Sequence, residues 1–181
     1  MPSNGAWTDR CQTAPMHVDH AIRTRRTIKD LRDEPVAAAT VRELLELAVQ
    51  APNHHLTEPW RFWVLGPATI ERLVEATGDR KLCRSRTAVV VGMVVNADAQ
   101  IAKEDEAACA AAIQTLMLAA TARGLASYWR TPGVFALSAF AATIGAPPET
   151  RFIGLVHLGE PSHDAPEAPY RSADPVTTWL A

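Results

Sequence analysis

The sequence predicts one mixed domain of helices and strands, of the α+β or α/β class, and three observations support this prediction. An apolar, β-branched run at residues 88–95 is typical of a central strand that is covered on both faces. An alanine-rich segment follows it and is typical of a long packed helix. Segments of both kinds alternate without repeats or linkers, so we expect a single domain over residues 17–181, preceded by a poorly ordered extension at residues 1–16.

The first half of the domain is predicted to hold three helices and one strand. Thr40 and Glu43 have the spacing of a capping box, which predicts that a helix begins at Thr40. That helix ends at Pro52, because proline lacks an N–H group and disfavours helical geometry before it. The other predicted elements are a short helix at residues 17–25, a strand at residues 61–65, and a helix from residue 67 to about residue 76 that ends at Gly78.

The second half is predicted to alternate strands and helices. The acids at residues 104–106 predict the start of the long helix, and Arg123 with Gly124 predicts its end, because this arrangement complements the helix dipole. A strand at residues 127–130, a helix at residues 136–144 and a final strand at residues 152–158 follow. The order of the strands within the sheet does not follow from these patterns.

Composition excludes several classes of protein. The net charge of −2 argues against a general nucleic-acid binder, and no apolar run approaches the roughly 20 residues that cross a bilayer. Residues 1–16 lack the hydrophobic core of a signal peptide. Cys11, Cys83 and Cys109 are odd in number and far apart, which indicates unpaired thiols in a reducing compartment. We therefore expect a cytoplasmic protein with no membrane and no nucleic-acid partner.

Two short segments carry candidate anion-binding groups. The first segment, Arg25, Arg26 and Thr27, offers guanidinium and hydroxyl donors that suit a phosphate. A solvated basic surface is the alternative explanation for the same residues. Trp129, Arg130 and Thr131 combine an aromatic ring, a cation and a hydroxyl, which suits an anion or a flat ring. An interior tryptophan beside a surface arginine is the alternative for this second segment.

Histidines and cysteines supply the remaining candidates. His54 and His55 lie in a loop between two prolines, where imidazoles serve as bases, hydrogen-bond donors or metal ligands. No converging ligand set is evident, so we expect no metal, and Cys109 in its apolar helix is expected to be an inert buried thiol. The chain has no glycine-rich phosphate loop, so side chains must hold any nucleotide-like cofactor.

Four segments together resemble the flavin-dependent nitroreductase family, particularly its small, compact branch. The family's Arg-Arg-Ser/Thr-x-Arg/Lys motif matches residues 25–29, and its Ala-Pro-Asn/Asp-His…Pro-Trp-Arg-Phe signature matches residues 51–62. Its Trp-Arg-Ser/Thr element matches residues 129–131, and its closing Gly-x-x-x-Leu-Gly-x-Pro matches residues 154–161. The resemblance covers about residues 17–180 in consistent order.

The resemblance implies an α+β nitroreductase-like fold with a central, mostly antiparallel sheet flanked by helices, and an intertwined homodimer with FMN at the subunit interface. It also implies reduction of FMN by NADH or NADPH, transfer to nitroaromatic, quinone or related small acceptors by ping-pong kinetics, and no dedicated catalytic side chain. It implies that Arg25, Arg26 and Thr27 contact FMN and that Gln50 and His54 reach the same FMN from the other subunit. It further implies that Trp129, Arg130 and Thr131 complete the site beside the isoalloxazine and phosphate.

Two positions depart from the family pattern. Position 50 often carries arginine and is Gln50 here, and the residue before Pro59 is commonly glutamine and is Glu58 here. Two other functions stay open beside the reductase: a flavin-binding or sensing protein with little turnover, and a reductase-like scaffold that binds a partner and no flavin.

Overall fold

The computed structural model describes residues 16–165, 167, 169 and 171–180. The extension predicted at residues 1–16 lies, except for Met16, outside the described residues. Within them the chain forms five α-helices and four strands, as the sequence predicted. They are α1 Val18–Thr24, α2 Ala38–Ala48, β1 Trp60–Leu65, α3 Pro67–Thr77, β2 Thr87–Val94, α4 Ala99–Ala122, β3 Ala126–Arg130, α5 Ser138–Ile144 and β4 Thr150–Gly159.

The four strands form one sheet in the order β1-β2-β4-β3, and every neighbouring pair is antiparallel. This arrangement confirms the predicted α+β class with an antiparallel sheet. Thr27 forms a parallel bridge with Ser127, so the segment after α1 runs beside the edge strand β3. No helix among the described residues has the length and apolar character needed to cross a membrane.

Strand β2 lies between two hydrophobic cores, as its apolar sequence predicted. Val89 and Val91 face a core built largely with α2 and α4, whereas Val90 faces a second core built with α3 and α5. The alternation follows from the two-residue repeat of a strand. The sheet is therefore the middle layer between two helical layers.

Helix α4 begins five residues earlier than predicted. The prediction of a start at residues 104–106 was wrong, because the carboxylate of Asp98 caps the helix by accepting hydrogen bonds from the backbone N–H groups of Gln100 (2.8 Å) and Ile101 (3.1 Å). Glu104 and Asp105 consequently lie one turn inside the helix, where they contact a neighbouring loop.

The predicted capping box of α2 does not form. The helix begins at Ala38, and no side chain caps its first turn. The carboxylate of Glu43 instead accepts a hydrogen bond from Arg123 at the end of α4 (3.3 Å). Helix α5 also begins two residues later than predicted, because Gly133–Ala136 forms a separate 3-10 turn.

These two helix starts give a paired stability prediction. Asp98→Ala removes two capping hydrogen bonds and should lower the free energy of unfolding by about 1 kcal/mol. Thr40→Ala removes no cap and should change it by less than about 0.5 kcal/mol. Urea unfolding followed by circular dichroism measures both, and an equal loss in the two variants would contradict the observed caps.

Candidate functional site

The arginine segment lies beside the edge strand that carries the second candidate segment. Arg25 ends α1, where its backbone N–H donates to the carbonyl of Ala21 at 2.9 Å. Two residues later, the bridge between Thr27 and Ser127 fixes the chain along β3. The structure thus brings the 25–27 segment to the strand that contains Trp129 and Arg130 and is followed by Thr131.

Several buried polar atoms in this region make no hydrogen bond within the described part of the chain. They are Arg25 Nη1, Arg26 Nε, Ser127 Oγ and Arg130 Nη1. A buried donor without a partner costs about 1–3 kcal/mol, so such atoms ordinarily have partners. Burial, and secondarily the charge of Arg26, lower the pKa of Arg25. The region therefore presents cationic donors that fit a ligand rich in acceptor oxygens.

Two of these arginines are already partly bound within the chain. Arg26 donates from Nη1 to the carbonyl of Arg25 (2.6 Å) and from Nη2 to that of Arg23 (2.7 Å), so it also caps the end of α1. Arg130 donates from Nη2 to the carboxylate of Asp79 at 2.6 Å. This ion pair holds the guanidinium in place and leaves its other terminal nitrogen for a further acceptor.

The indole of Trp129 packs against β4 at Gly154. A Cβ atom at position 154 would lie 2.1 Å from the indole nitrogen of Trp129, so this position requires glycine. The tryptophan keeps 40% of its surface exposed. It therefore offers an apolar aromatic surface on the strand that also carries Arg130.

The opposite side of β3 is closed by a buried polar cluster that sequence reasoning missed. Tyr128 stacks on His157 with ring centroids 4.5 Å apart, and His157 Nδ1 lies 2.8 Å from the hydroxyl of Ser85. That hydroxyl donates to the carbonyl of Thr87, so Nδ1 carries the hydrogen. Burial, with the charges of Arg130 and Arg84, lowers the pKa of His157 to about 3, and the ring is neutral.

The second group of predicted residues belongs to the loop between α2 and β1. The amide oxygen of Asn53 accepts from the backbone N–H of Glu58 at 2.7 Å, which closes the loop on itself. The hydroxyl of Thr57 hydrogen-bonds to the buried carboxylate of Asp105 on α4. Three residues of the loop, His55, Leu56 and Glu58, have positive φ. These contacts fix a tightly folded loop against the second turn of α4.

His54 is bound to the same helix. Its Nδ1 lies 2.7 Å from Oε2 of Glu104, and its side chain is 65% exposed. The neighbouring ring of His55 stacks on it at 3.8 Å. Ligand atoms of both histidines and Glu104 lie within 4.8 Å of one another, but this hydrogen bond and this stacking already account for their proximity. The absence of a metal therefore stays a prediction.

Gln50 is exposed just beyond α2, where its side chain makes one long hydrogen bond to the carbonyl of Glu46 (3.4 Å). Its sequence neighbour Ala51 is buried, so the main chain here is anchored while the amide side chain faces outward. Gln50 and His54 thus form an outward-facing pair on one connection.

The sheet register separates this pair from the arginine segment. Thr27 lies level with Ser127, Leu158 and Thr87 at one end of the sheet, whereas Trp60, which follows the histidine loop, lies level with Met93. The two levels are about 20 Å apart along β2, and edge strands β1 and β3 are about 14 Å apart. One chain therefore places the histidine loop and the arginine segment toward opposite corners of its sheet.

Comparison with known proteins agrees with this fold. The sequence profile of the Nitroreductase family matches residues 22–92 and 79–160. The chain belongs to the Nitroreductase family, and the resemblance inferred from the four motifs is confirmed. The predicted class of enzyme, an oxidoreductase of this family, is confirmed with it.

Individual relatives are similar over most of the chain. The Bacillus subtilis protein named "Putative NAD(P)H nitroreductase YfhC" is 28% identical over 170 residues, which span 83% of this chain and 87% of that protein. A nitroreductase-like family protein from Bacillus cereus has a TM-score of 0.83 at 25% identity, over 94% of this chain and 99% of its own. A Desulfovibrio desulfuricans protein solved with FMN has a TM-score of 0.75 at 24% identity, over 93% and 99% of the two chains.

The packing of Trp129 gives a testable prediction. Gly154→Ala places a methyl group inside the indole position, so the ring must move, and the free energy of unfolding should fall by about 1–3 kcal/mol. Tryptophan near-ultraviolet circular dichroism should change as well. Gly133→Ala is the matched control, because a Cβ atom there meets nothing within 4 Å. Equal spectra and stabilities for the two variants would contradict this packing.

Proposed function

We propose that this chain is an FMN-dependent NAD(P)H oxidoreductase that reduces nitroaromatic, quinone or related small acceptors by a ping-pong mechanism. Family membership supports the class, the name of the B. subtilis relative supports the electron donor, and the D. desulfuricans complex supports FMN. The observation that carries the proposal is the set of buried, unpartnered guanidinium atoms of Arg25, Arg26 and Arg130, together with the exposed indole of Trp129 on the same strand as Arg130. Cationic donors suit phosphate and ribityl oxygens, and the indole suits a flat ring.

The residues proposed to hold FMN divide into three sets. Arg25, Arg26 and Thr27 bind phosphate or ribityl oxygens from the edge of β3. Trp129, Arg130 and Thr131 line the isoalloxazine and phosphate. Gln50 and His54 reach the same FMN from the partner subunit.

Bound FMN would supply the hydride and electron-transfer chemistry between the nicotinamide donor and the acceptor. The side chains that the structure describes bind, orient and shield it. Burial raises the pKa of Cys109 to about 12, so its thiol is no nucleophile at neutral pH. His157 is buried, neutral and held by Ser85. The proposal accordingly assigns positioning roles and no catalytic side chain.

The proposed active unit is an intertwined homodimer. In the proposed dimer, the histidine loop of one chain would lie at the arginine segment of its partner. The separation of the two segments within one sheet supports this arrangement. The apolar side chains of Val176, Trp179 and Leu180 near the end of the chain are 86–90% exposed, and a partner subunit would cover them. The cytoplasmic location, like the absence of nucleic-acid and membrane partners, stays a prediction.

Reduction of bound flavin tests the function directly. The purified protein should be yellow and release FMN on denaturation, and anaerobic addition of NADH or NADPH should bleach its visible absorbance. A yellow protein that neither nucleotide reduces would be the flavin-binding or sensing protein instead. If the protein is colourless and also fails to bind added FMN, the partner-binding scaffold is the one of the three functions that remains.

Subunit mixing tests the shared site. Arg25→Ala and His54→Ala should each weaken FMN binding, but a heterodimer of the two variants should regain one native site, because its intact Arg25 and intact His54 meet at the same FMN. Titration of tagged, purified heterodimers should show half the sites with wild-type affinity. A site contained in one chain would give no recovery.

A further inference from the structure

Among the residues that the structure describes, the side chain of Glu104 is the hydrogen-bond partner of the His54 ring. Its Oε2 lies 2.7 Å from His54 Nδ1, while its Oε1 accepts a hydrogen bond from Gln100 Nε2 at 3.1 Å. Hydrogen bonds from Gln100 first, and then from His54, hold the pKa of Glu104 below its usual value. The carboxylate is therefore ionised at neutral pH and can only accept.

An acceptor at this position determines which nitrogen of the imidazole carries hydrogen. Nδ1 must hold it in order to donate to Glu104, so in the neutral ring Nε2 is left with its lone pair. The ring is 65% exposed, and Nε2 has no hydrogen-bond partner in the part of the chain that the structure describes. The hydrogen bond to Glu104 thus leaves Nε2 of His54 as the nitrogen that faces a binding partner outside the subunit.

The surrounding loop makes this orientation rigid. Asn53 closes the loop by accepting from the N–H of Glu58, and Thr57 binds Asp105, the residue after Glu104. Both Glu104 and Asp105 belong to α4, whose next turns are buried in the core. The position of the imidazole is consequently fixed through α4 by the core of its own subunit.

We propose that Glu104 is a positioning residue for the cofactor site of the partner subunit: it fixes His54 with hydrogen on Nδ1 and directs Nε2 to the partner's FMN. This inference rests on the proposed function, because it takes the role of His54 at FMN from there. Nothing in the family motifs includes position 104, which lies 50 residues from His54 in sequence.

Affinity for FMN measures this role on the full-length protein after removal of flavin. Glu104→Gln should weaken FMN binding about three- to tenfold, the worth of one hydrogen bond, because glutamine can donate as well as accept and no longer selects one tautomer. Glu106→Gln is the matched control. It removes the same charge from the same helix at a surface ion pair with Arg151, and should change affinity by less than about twofold.

A double-mutant cycle separates positioning from general damage. In a His54→Ala background, Glu104→Gln should have no further effect, because Glu104 acts through His54. ¹⁵N NMR of the imidazoles gives a readout independent of FMN: His54 should carry hydrogen on Nδ1 in the wild type and populate both tautomers in Glu104→Gln.

The outcomes distinguish a wrong role for His54 at FMN from a wrong role for Glu104 at His54. A wild-type protein that binds no FMN, or a His54→Ala variant with wild-type affinity, overturns the proposed role of His54 and this inference with it. Normal binding by the wild type, weak binding by His54→Ala and control-level binding by Glu104→Gln overturn the inference alone. An equal effect of Glu104→Gln with and without His54 overturns it too.

Discussion

The pairing of β2 with both β1 and β4 is the constraint on which the rest of the structure depends. Strand β2 is buried on both faces and hydrogen-bonded on both edges, so its register fixes where every neighbouring segment lies. A one-residue shift in the register of β2 would turn each of its valines to the opposite core. This rigid frame places the histidine loop near one corner of the sheet and the arginine segment near the other.

The separation of the histidine loop and the arginine segment within one chain is the physical reason for proposing a dimer. Secondary structure of this length does not bend by about 20 Å to bring its corners together, because close-packed cores resist continuous deformation. A second copy related by symmetry solves the problem without any movement, since it offers its own histidine loop. The proposed dimer would therefore account both for the separation of the two segments and for the exposed apolar side chains near Trp179.

Local sequence signals predicted the helices and strands well, but they did not predict the contacts between residues far apart in sequence. Gly78 and Gly145 end α3 and α5 in the left-handed conformation, as glycine at such positions predicts. The start of α4 was misplaced because acids inside a helix look like acids at its beginning. The pairs His54–Glu104, Thr57–Asp105 and Asp79–Arg130 join residues 48–51 positions apart, so no local pattern reveals them. The motifs identified candidate residues, and the fold was needed to show what holds them.

The unpartnered arginines connect stability with cofactor binding. Each buried donor without an acceptor costs about 1–3 kcal/mol, a large share of the 5–15 kcal/mol that stabilises a typical domain. An anionic ligand that supplied acceptors to Arg25 and Arg130 would relieve this cost, and the relief would appear as part of its affinity. At a concentration of 100 times its Kd, such a ligand stabilises the folded state by about 2.7 kcal/mol in total. Asp79 satisfies only part of Arg130, because its carboxylate accepts from Nη2 and leaves Nη1 without a partner among the described residues. Under the proposed function, the folded chain would therefore be most stable when an oxygen-rich anion supplies the missing acceptors.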